Sequence, residues 1–196
     1  GIMCRDFTTT EDGLEMTVGV NYVGTWLLTN WLLPNMGRTG KARIINTSSV
    51  TCKMGEVGDR FFKLDPEHYR RFKAYPNSKL AILMFTTELA RRVQGRAITV
   101  NAVDPGVVNT GMITMHRWFD PITDLLFRPL IKSPEKGAAT ALKLATEKAL
   151  PNDTSNLYWM GEKPKKISDH VLNHPYRTEI GKELLRLTGL QMPAEQ

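Results

Sequence analysis

The sequence has few cysteines and no long apolar run. Cys4 and Cys52 are the two cysteines among 196 residues, so no disulfide framework can form, and their spacing fits no zinc motif. Two unpaired thiols are the simplest expectation. The strongly apolar stretches, such as 26–33 and 81–85, fall short of the roughly 18 residues that a membrane-crossing helix needs. These absences exclude a disulfide-stapled secreted scaffold, and we expect no transmembrane helix.

The start of the chain also lacks familiar features. The first residue is Gly1 rather than Met, and no signal peptide, lipidation motif or targeting segment follows it. We therefore expect a preceding part of the protein to be missing from this sequence.

Positive charge is in excess but dispersed. The formal net charge is +6, with small clusters at Arg70 and Arg71 and at Lys163, Lys165 and Lys166. Scattered charge is typical of a solvated surface. We expect no nucleic-acid partner, because a basic nucleic-acid-binding module is supported by the net charge alone.

The apolar pattern alternates between helical and extended periods. It predicts a helix over about 11–36 with candidate caps at Thr8, Thr9 and Thr10, a buried strand over 42–47, a helix over about 80–93 and a strand over 97–103. Residues 50–70 look polar and irregular. Further helices are predicted from Ser133 to about Lys148 and over 178–187, with a strand over 155–160. This order favours an α/β fold with a parallel sheet and right-handed crossovers.

Tyr75 and Lys79 form the strongest local chemical pattern. Positions i and i+4 share a helix face, so both side chains can point into one site. An ammonium beside a phenol stabilises the phenolate and lowers its pKa, which makes the pair a candidate general acid and base. Pro76 predicts that the helix begins or bends at Tyr75.

Four features in register extend this pattern. Asn21 lies within a helix, Ser48 and Ser49 close a buried strand, Tyr75 and Lys79 open a helix, and residues 101–106 (Asn-Ala-Val-Asp-Pro-Gly) end the next strand. In this order and spacing the sequence resembles the short-chain dehydrogenase/reductase family. Shorter stretches, such as 12–15, 19–21, 78–81 with 88–92, and 132–134 with 137–139, are similar to its retinol dehydrogenase branch. The resemblance extends from Gly1 to about Leu190.

The resemblance implies a role for each catalytic residue. Tyr75 would give or take the proton at the carbonyl or carbinol oxygen, and Ser49 would polarise that oxygen, with Ser48 as the alternative if the strand register shifts by one. Lys79 would lower the pKa of Tyr75 and hold the nicotinamide ribose. Asn21 would keep a water that relays protons from Lys79.

The resemblance implies only part of a cofactor site. Pro105, Gly106 and Thr110 match the element that holds the nicotinamide carboxamide, and the cofactor would be NADP, with NAD not excluded. No Gly-rich phosphate turn occurs anywhere. We therefore expect residues 1–196 to form a single domain, the C-terminal two-thirds of a doubly wound Rossmann sheet that lacks its first βαβ units. On its own this chain should bind cofactor weakly and show no turnover.

Partners and location follow from the same resemblance. Residues 112–132 align with the variable substrate loop of the family, and their aromatic residues suit an apolar alcohol or carbonyl that is similar to retinol or retinal. Two other interpretations remain open. The segment could be ordinary core, or it could be a membrane-surface patch flanked by Arg117, Arg128 and Lys132. A homodimer through helices 11–36 and 72–93 is implied. A non-catalytic truncated isoform acting as a dimerisation partner is the alternative function.

Two further expectations concern ligands and compartment. His170 and His174 are four residues apart, but without a third ligand nearby we expect no metal site. The protein is expected in the cytoplasm or associated with the endoplasmic reticulum.

Overall fold

The computed structural model describes residues 1–38, 40–108, 132–147, 155–161 and 163–190. Its centre is a sheet in the order β1 (Ala42–Thr47), β2 (Ile98–Asp104), β3 (Leu157–Met160) and β4 (Lys163–Lys166). The first three strands are parallel, which confirms the α/β expectation. β4 pairs antiparallel with β3, so the sheet is mixed rather than purely parallel.

The strand at 42–47 begins and ends where the sequence predicts. It pairs with β2 from Ala42 opposite Ile98 to Thr47 opposite Val103, so both strands reach the same edge of the sheet together. β2 lies one residue further along the chain than predicted, and β3 begins two residues later. The carboxyl ends of β1 and β2 are therefore neighbours, which is where α/β sheets carry their ligands.

The first helical segment differs from the single helix predicted over 11–36. It consists of α1 (Met16–Val18), a π-helical turn (Gly19–Val23), α2 (Gly24–Leu32) and a 3-10 turn (Leu33–Asn35). Glu15 caps it by accepting from the amides of Thr17 (2.8 Å) and Val18 (2.9 Å), in place of the predicted threonines. Thr10 is instead part of the preceding turn, where its hydroxyl accepts from the Leu14 amide.

The long helix α3 (Arg71–Arg92) begins one turn earlier than predicted. Pro76 lies inside it rather than at its start. Proline has no N–H, so the carbonyl of Phe72 lacks the hydrogen bond that residue i+4 would donate. This loss is tolerable near the start of the helix because Phe72 is 66% exposed. Tyr75 and Lys79 therefore lie inside the helix, about one and two turns after its first residue.

Two helices cover opposite faces of the sheet. The face towards α3 contributes side chains of even-numbered strand positions to the main core, among them Ile44, Val100, Ala102 and Tyr158. The other face packs Val103 and Trp159 against Leu144 of α4 (Pro134–Thr146). The connections from β1 to β2 and from β2 to β3 move in the same direction across the sheet. Because their helices lie on opposite faces, the two crossovers have opposite handedness, and only one is the expected right-handed kind.

Residues 50–70 are irregular apart from one short turn, as predicted, but they are less polar in their packing than the sequence indicates. A 3-10 turn (Val50–Met54) is followed by a segment that buries Val57, Phe61 and Tyr69. The Phe61 ring lies 5.6 Å from that of Tyr22 in an edge-on contact. This segment packs against the π-helical turn, and its 3-10 turn packs on α3, the helix that carries Tyr75 and Lys79.

The closing elements are α5 (Asp169–Leu172) and α6 (Arg177–Thr188), both packed on α3. Ser133 caps α4 as predicted, accepting from the Lys136 amide. None of the helices in the described ranges is long and apolar enough to cross a membrane. The predicted excursion 112–132 falls outside the described residues except for Lys132, and the single-domain organisation stays a prediction.

Candidate active site

The carboxyl ends of β1 and β2 bring four of the predicted residues to one edge of the sheet. Ser49 follows β1 and begins the 3-10 turn. Tyr75 and Lys79 lie on α3 above it, and Asn21 enters from the π-helical turn. Local chain geometry explains each position, because strand ends, a helix start and a helical bulge all meet at this edge.

Ser49, rather than Ser48, reaches Tyr75. The Ser49 side chain lies against the phenol of Tyr75, and this contact lowers the pKa of the phenol, although burial raises that pKa more strongly and Asp104 raises it further. Ser48 is 1% exposed and donates to the carbonyl oxygen of Lys79 at 2.9 Å. Ser48 therefore fixes the helix, while Ser49 faces the phenol.

Lys79 is an almost fully buried ammonium. Its side chain is 4% exposed, and its Nζ donates to the carbonyl oxygen of Thr47 at 3.0 Å. Burial lowers the pKa of Lys79 to about 8, against a smaller raising effect of Asp104. The group is thus largely charged at pH 7 and can lose its proton within the physiological range.

The contact between Lys79 and Tyr75 differs from the one expected. Nζ lies 5.6 Å from the centre of the Tyr75 ring, in a cation–π arrangement. We expected Lys79 to lower the pKa of Tyr75, whereas the pKa of the phenol is raised by burial and the lowering contact is that with Ser49. In this structure Nζ is directed to the carbonyl oxygen of Thr47, and the effect of Lys79 on the phenolate of Tyr75 stays a prediction.

The amide of Asn21 is engaged by the start of the chain. Its Oδ1 accepts from the Ile2 amide at 2.7 Å, and its Nδ2 donates to the Ile2 carbonyl at 2.8 Å and to the Ser78 hydroxyl at 3.1 Å. Both amide protons are therefore used. These contacts fix residue 2 against α3, and the predicted relay role of Asn21 stays a prediction.

The predicted nicotinamide element lies directly after β2. Gly106 has a φ of +78°, a conformation that favours glycine, and its amide donates to Asp104 Oδ1 at 2.8 Å. Lys132 Nζ donates to the Pro105 carbonyl at 3.2 Å and would touch a Cβ at Gly106. Thr110 lies outside the described residues.

Sequence reasoning missed three polar groups beside this site: Asp104, Tyr158 and Lys132. Asp104 and Tyr158 are 2% and 6% exposed. The signal for Asp104 was present, since it is the one charged residue of its strand. Nothing in the sequence separates Tyr158 from an ordinary core aromatic residue.

The histidine pair makes no ligand cluster. The rings of His170 and His174 lie 5.5 Å apart, edge to face, and Nδ1 of His174 accepts from the Tyr176 amide. Over the described ranges, no group of three His, Cys, Asp or Glu side chains could hold a metal ion.

The chain matches one protein-family model and is similar to several retinol dehydrogenases. The family model described as short chain dehydrogenase matches residues 2–118. Human retinol dehydrogenase 13 is 38% identical over 199 residues, covering 99% of this chain and 60% of the relative. Human retinol dehydrogenase 12 is 34% identical over 192 residues, covering 97% of this chain and again 60% of the relative. The chain thus spans about three-fifths of the length of these relatives.

Solved structures share the fold. A putative uncharacterized protein from Mycobacterium paratuberculosis superposes with a TM-score of 0.74 at 26% identity, covering 98% of this chain and 66% of that one. A putative NAD(P)-dependent gluconate 5-dehydrogenase from Beutenbergia cavernae, determined with bound NADP, gives a TM-score of 0.53 at 24% identity over 74% of this chain and 55% of its own. With the family match across more than half of the sequence, the chain belongs to the short-chain dehydrogenase family.

Proposed function

We propose that this chain carries the catalytic groups of an NAD(P)(H)-dependent oxidoreductase that interconverts an apolar alcohol and its carbonyl. The observation that carries the proposal is the contact of Ser49 with the phenol of Tyr75, beside the buried ammonium of Lys79 on the same helix face. A phenol, a hydroxyl and a buried cation together can move one proton and stabilise an oxygen that gains charge.

Each residue has a definite part in this proposal. The Tyr75 hydroxyl donates its proton to the substrate oxygen during reduction and takes it back during oxidation. Ser49 donates to the same oxygen and holds it near Tyr75. The Lys79 charge favours the phenolate that remains after proton transfer. Hydride chemistry is supplied by the nicotinamide when it is bound.

The described residues suit the nicotinamide end of such a cofactor. The turn after β2 has Gly106 in a left-handed conformation, and the amide of Gly106 is held by Asp104, so the backbone can approach a planar ligand closely. Lys79 would hold the ribose hydroxyls at the same edge. NADP(H) is the proposed cofactor, with NAD(H) as the alternative; thermal shifts measured with each would distinguish them.

An apolar substrate is favoured by the surface beside Ser49. In the turn that Ser49 begins, Val50 is 41% exposed and Met54 is 66% exposed. The names of the relatives point to retinoids, and we propose retinal or a similar apolar aldehyde. Association of the 112–132 segment with a membrane surface, and a location in the cytoplasm or at the endoplasmic reticulum, stay expectations.

The test is a substitution that removes only the hydroxyl group of Tyr75. Tyr75→Phe should reduce kcat for retinal reduction by NADPH by a factor of about 100 or more, while NADPH affinity is kept. Tyr69→Phe is the matched control, because that hydroxyl donates to the Cys4 carbonyl away from Ser49. The protein should be assayed at its natural length. Retained turnover in Tyr75→Phe would refute the assignment.

A non-catalytic partner role is a second candidate. The outer face of α2 leaves Leu28, Trp31 and Leu32 between 53% and 63% exposed, an unusual apolar patch for a free surface. A homodimer through this face would cover it. Light scattering at micromolar concentration should then report twice the monomer mass, and Trp31→Glu should return the protein to a monomer; a monomeric wild type would contradict the dimer.

A further inference from the structure

A carboxylate is buried directly behind the Tyr75 and Lys79 pair. Asp104, the last residue of β2, is 2% exposed. Side chains alternate along a strand, so Asp104 faces the same side as Ala102, which packs in the core beneath α3. The carboxylate therefore points towards the helix that carries Lys79.

Two contacts fix Asp104 in this position. Its Oδ1 accepts from the Gly106 amide at 2.8 Å. On the neighbouring strand, the phenol of Tyr158 lies against Asp104 and Cys52 without a hydrogen bond of regular geometry, and both groups together with burial raise the pKa of that phenol. Tyr158 is opposite Ala102 in the strand register, so its ring and Asp104 leave the sheet on the same face.

Lys79 reaches the same place from the helix. Its Nζ donates to the carbonyl oxygen of Thr47 at 3.0 Å. Thr47 is paired with Val103, the residue before Asp104. One ammonium and one carboxylate are thus buried at the ends of adjacent strands, on one face of the sheet.

Such burial is costly for a single charge. Removing an isolated ammonium from water costs several kcal/mol, and a buried opposite charge offsets part of that cost. Among the groups of the described residues that act on Lys79 electrostatically, Asp104 is the carboxylate. The other ionisable groups near this cluster in the described residues include Tyr75, Tyr158, Cys52, the amino group of Gly1 and the ammonium of Lys132 beside Gly106.

We propose that Asp104 is a positioning residue that keeps Lys79 in its charged form, held in place by the amide of Gly106 and the ring of Tyr158. Its use in catalysis rests on the proposed function, in which Lys79 favours the Tyr75 phenolate. Asp104 also has an opposing effect, because its negative charge raises the pKa of Tyr75 while Ser49 lowers it. The carboxylate of Asp104 therefore makes the phenol of Tyr75 less acidic, while it favours the charged form of Lys79.

The experiment reads the charge of Lys79 directly. Protein labelled with [ε-¹³C]lysine is titrated by NMR, and the Lys79 signal is identified by its loss in Lys79→Met. The wild-type midpoint is expected at about 8. In Asp104→Asn the midpoint should fall by more than about half a unit, because the raising effect of the carboxylate is lost and burial then acts on Lys79 unopposed. Asp104→Glu should restore it towards the wild type.

A matched control and a second variant make the outcome decisive. Glu88→Gln removes a carboxylate from the same helix, where it pairs with Arg91, and should leave the Lys79 midpoint unchanged. A folded Asp104→Asn protein with the wild-type midpoint would overturn the proposal. If Asp104→Asn does not fold, the double variant Asp104→Asn with Lys79→Met should fold again, because it buries neither charge. Failure of that double variant to fold would also overturn the proposal.

This readout is independent of turnover. An inactive protein with the expected Lys79 titration would contradict the proposed function and leave the role of Asp104 intact. If the protein is active but Asp104→Asn leaves the titration midpoint of Lys79 unchanged, the role of Asp104 is contradicted and the proposed function is kept.

Discussion

Lys79→Met should stabilise the protein at neutral pH although it removes the buried cation of the candidate active site. Burial lowers the pKa of Lys79 from 10.5 to about 8, and each unit corresponds to about 1.4 kcal/mol. Holding the ammonium in the folded state therefore costs about 3 kcal/mol at pH 7. The hydrogen bond to the Thr47 carbonyl returns about 1 kcal/mol, so the net gain from Lys79→Met is about 2 kcal/mol. For a chain of this size that gain is an increase in Tm of about 4–8 °C.

The pH dependence gives the sharper test. Between pH 8 and 10.5 the unfolded chain keeps the proton that the folded protein has lost, so wild-type stability rises with pH relative to Lys79→Met. The difference between the two proteins in urea unfolding should shrink by about 2 kcal/mol from pH 7 to pH 9.5. Lys73→Met is the control: it removes an exposed lysine from the same helix and should show no such change. A difference for Lys79→Met that is constant with pH, or a less stable variant at pH 7, would refute the reasoning.

Three further predictions concern the neighbouring residues. Ser49→Ala should reduce kcat far more than Ser48→Ala, whereas Ser48→Ala should lower the free energy of unfolding by about 1–2 kcal/mol, because its buried hydroxyl holds the Lys79 carbonyl. Asn21→Ala should destabilise by about 2–3 kcal/mol in urea unfolding, since two backbone groups of residue 2 lose their partner. Gly106→Ala should lower Tm and weaken NADPH binding in calorimetry, because alanine is strained at a φ of +78° and its Cβ would meet the Lys132 side chain. For each variant, a kcat, a free energy of unfolding, a Tm or an NADPH affinity equal to that of the wild type would contradict the role given to that residue.

Local chemistry made part of the fold predictable. An apolar run without alternation gave the bounds of β1, and Ser133 followed by Pro134 gave the start of α4, because caps and buried strands are determined by adjacent residues. The side-by-side position of Tyr75 and Lys79 follows from helix geometry alone. These features need no knowledge of the tertiary structure.

Other features depend on contacts between distant residues. The π-helical turn at Gly19–Val23 and the burial of Phe61 against Tyr22 arise from packing that no local pattern encodes. Pro76 inside α3 shows tertiary packing overriding a local preference. The surroundings of Asp104 come from three strands and a helix at once, so its importance could not be read from one strand.

The most direct test of the account is the transfer of hydride itself. The protein at its natural length is incubated with NADPH deuterated at the transferring position of C4, together with retinal or another apolar aldehyde, and the product alcohol is weighed by mass spectrometry. We expect one deuterium per product molecule with the wild type and no product above background with Tyr75→Phe. Absence of labelled alcohol with the wild type, or equal labelling with Tyr75→Phe, would contradict it.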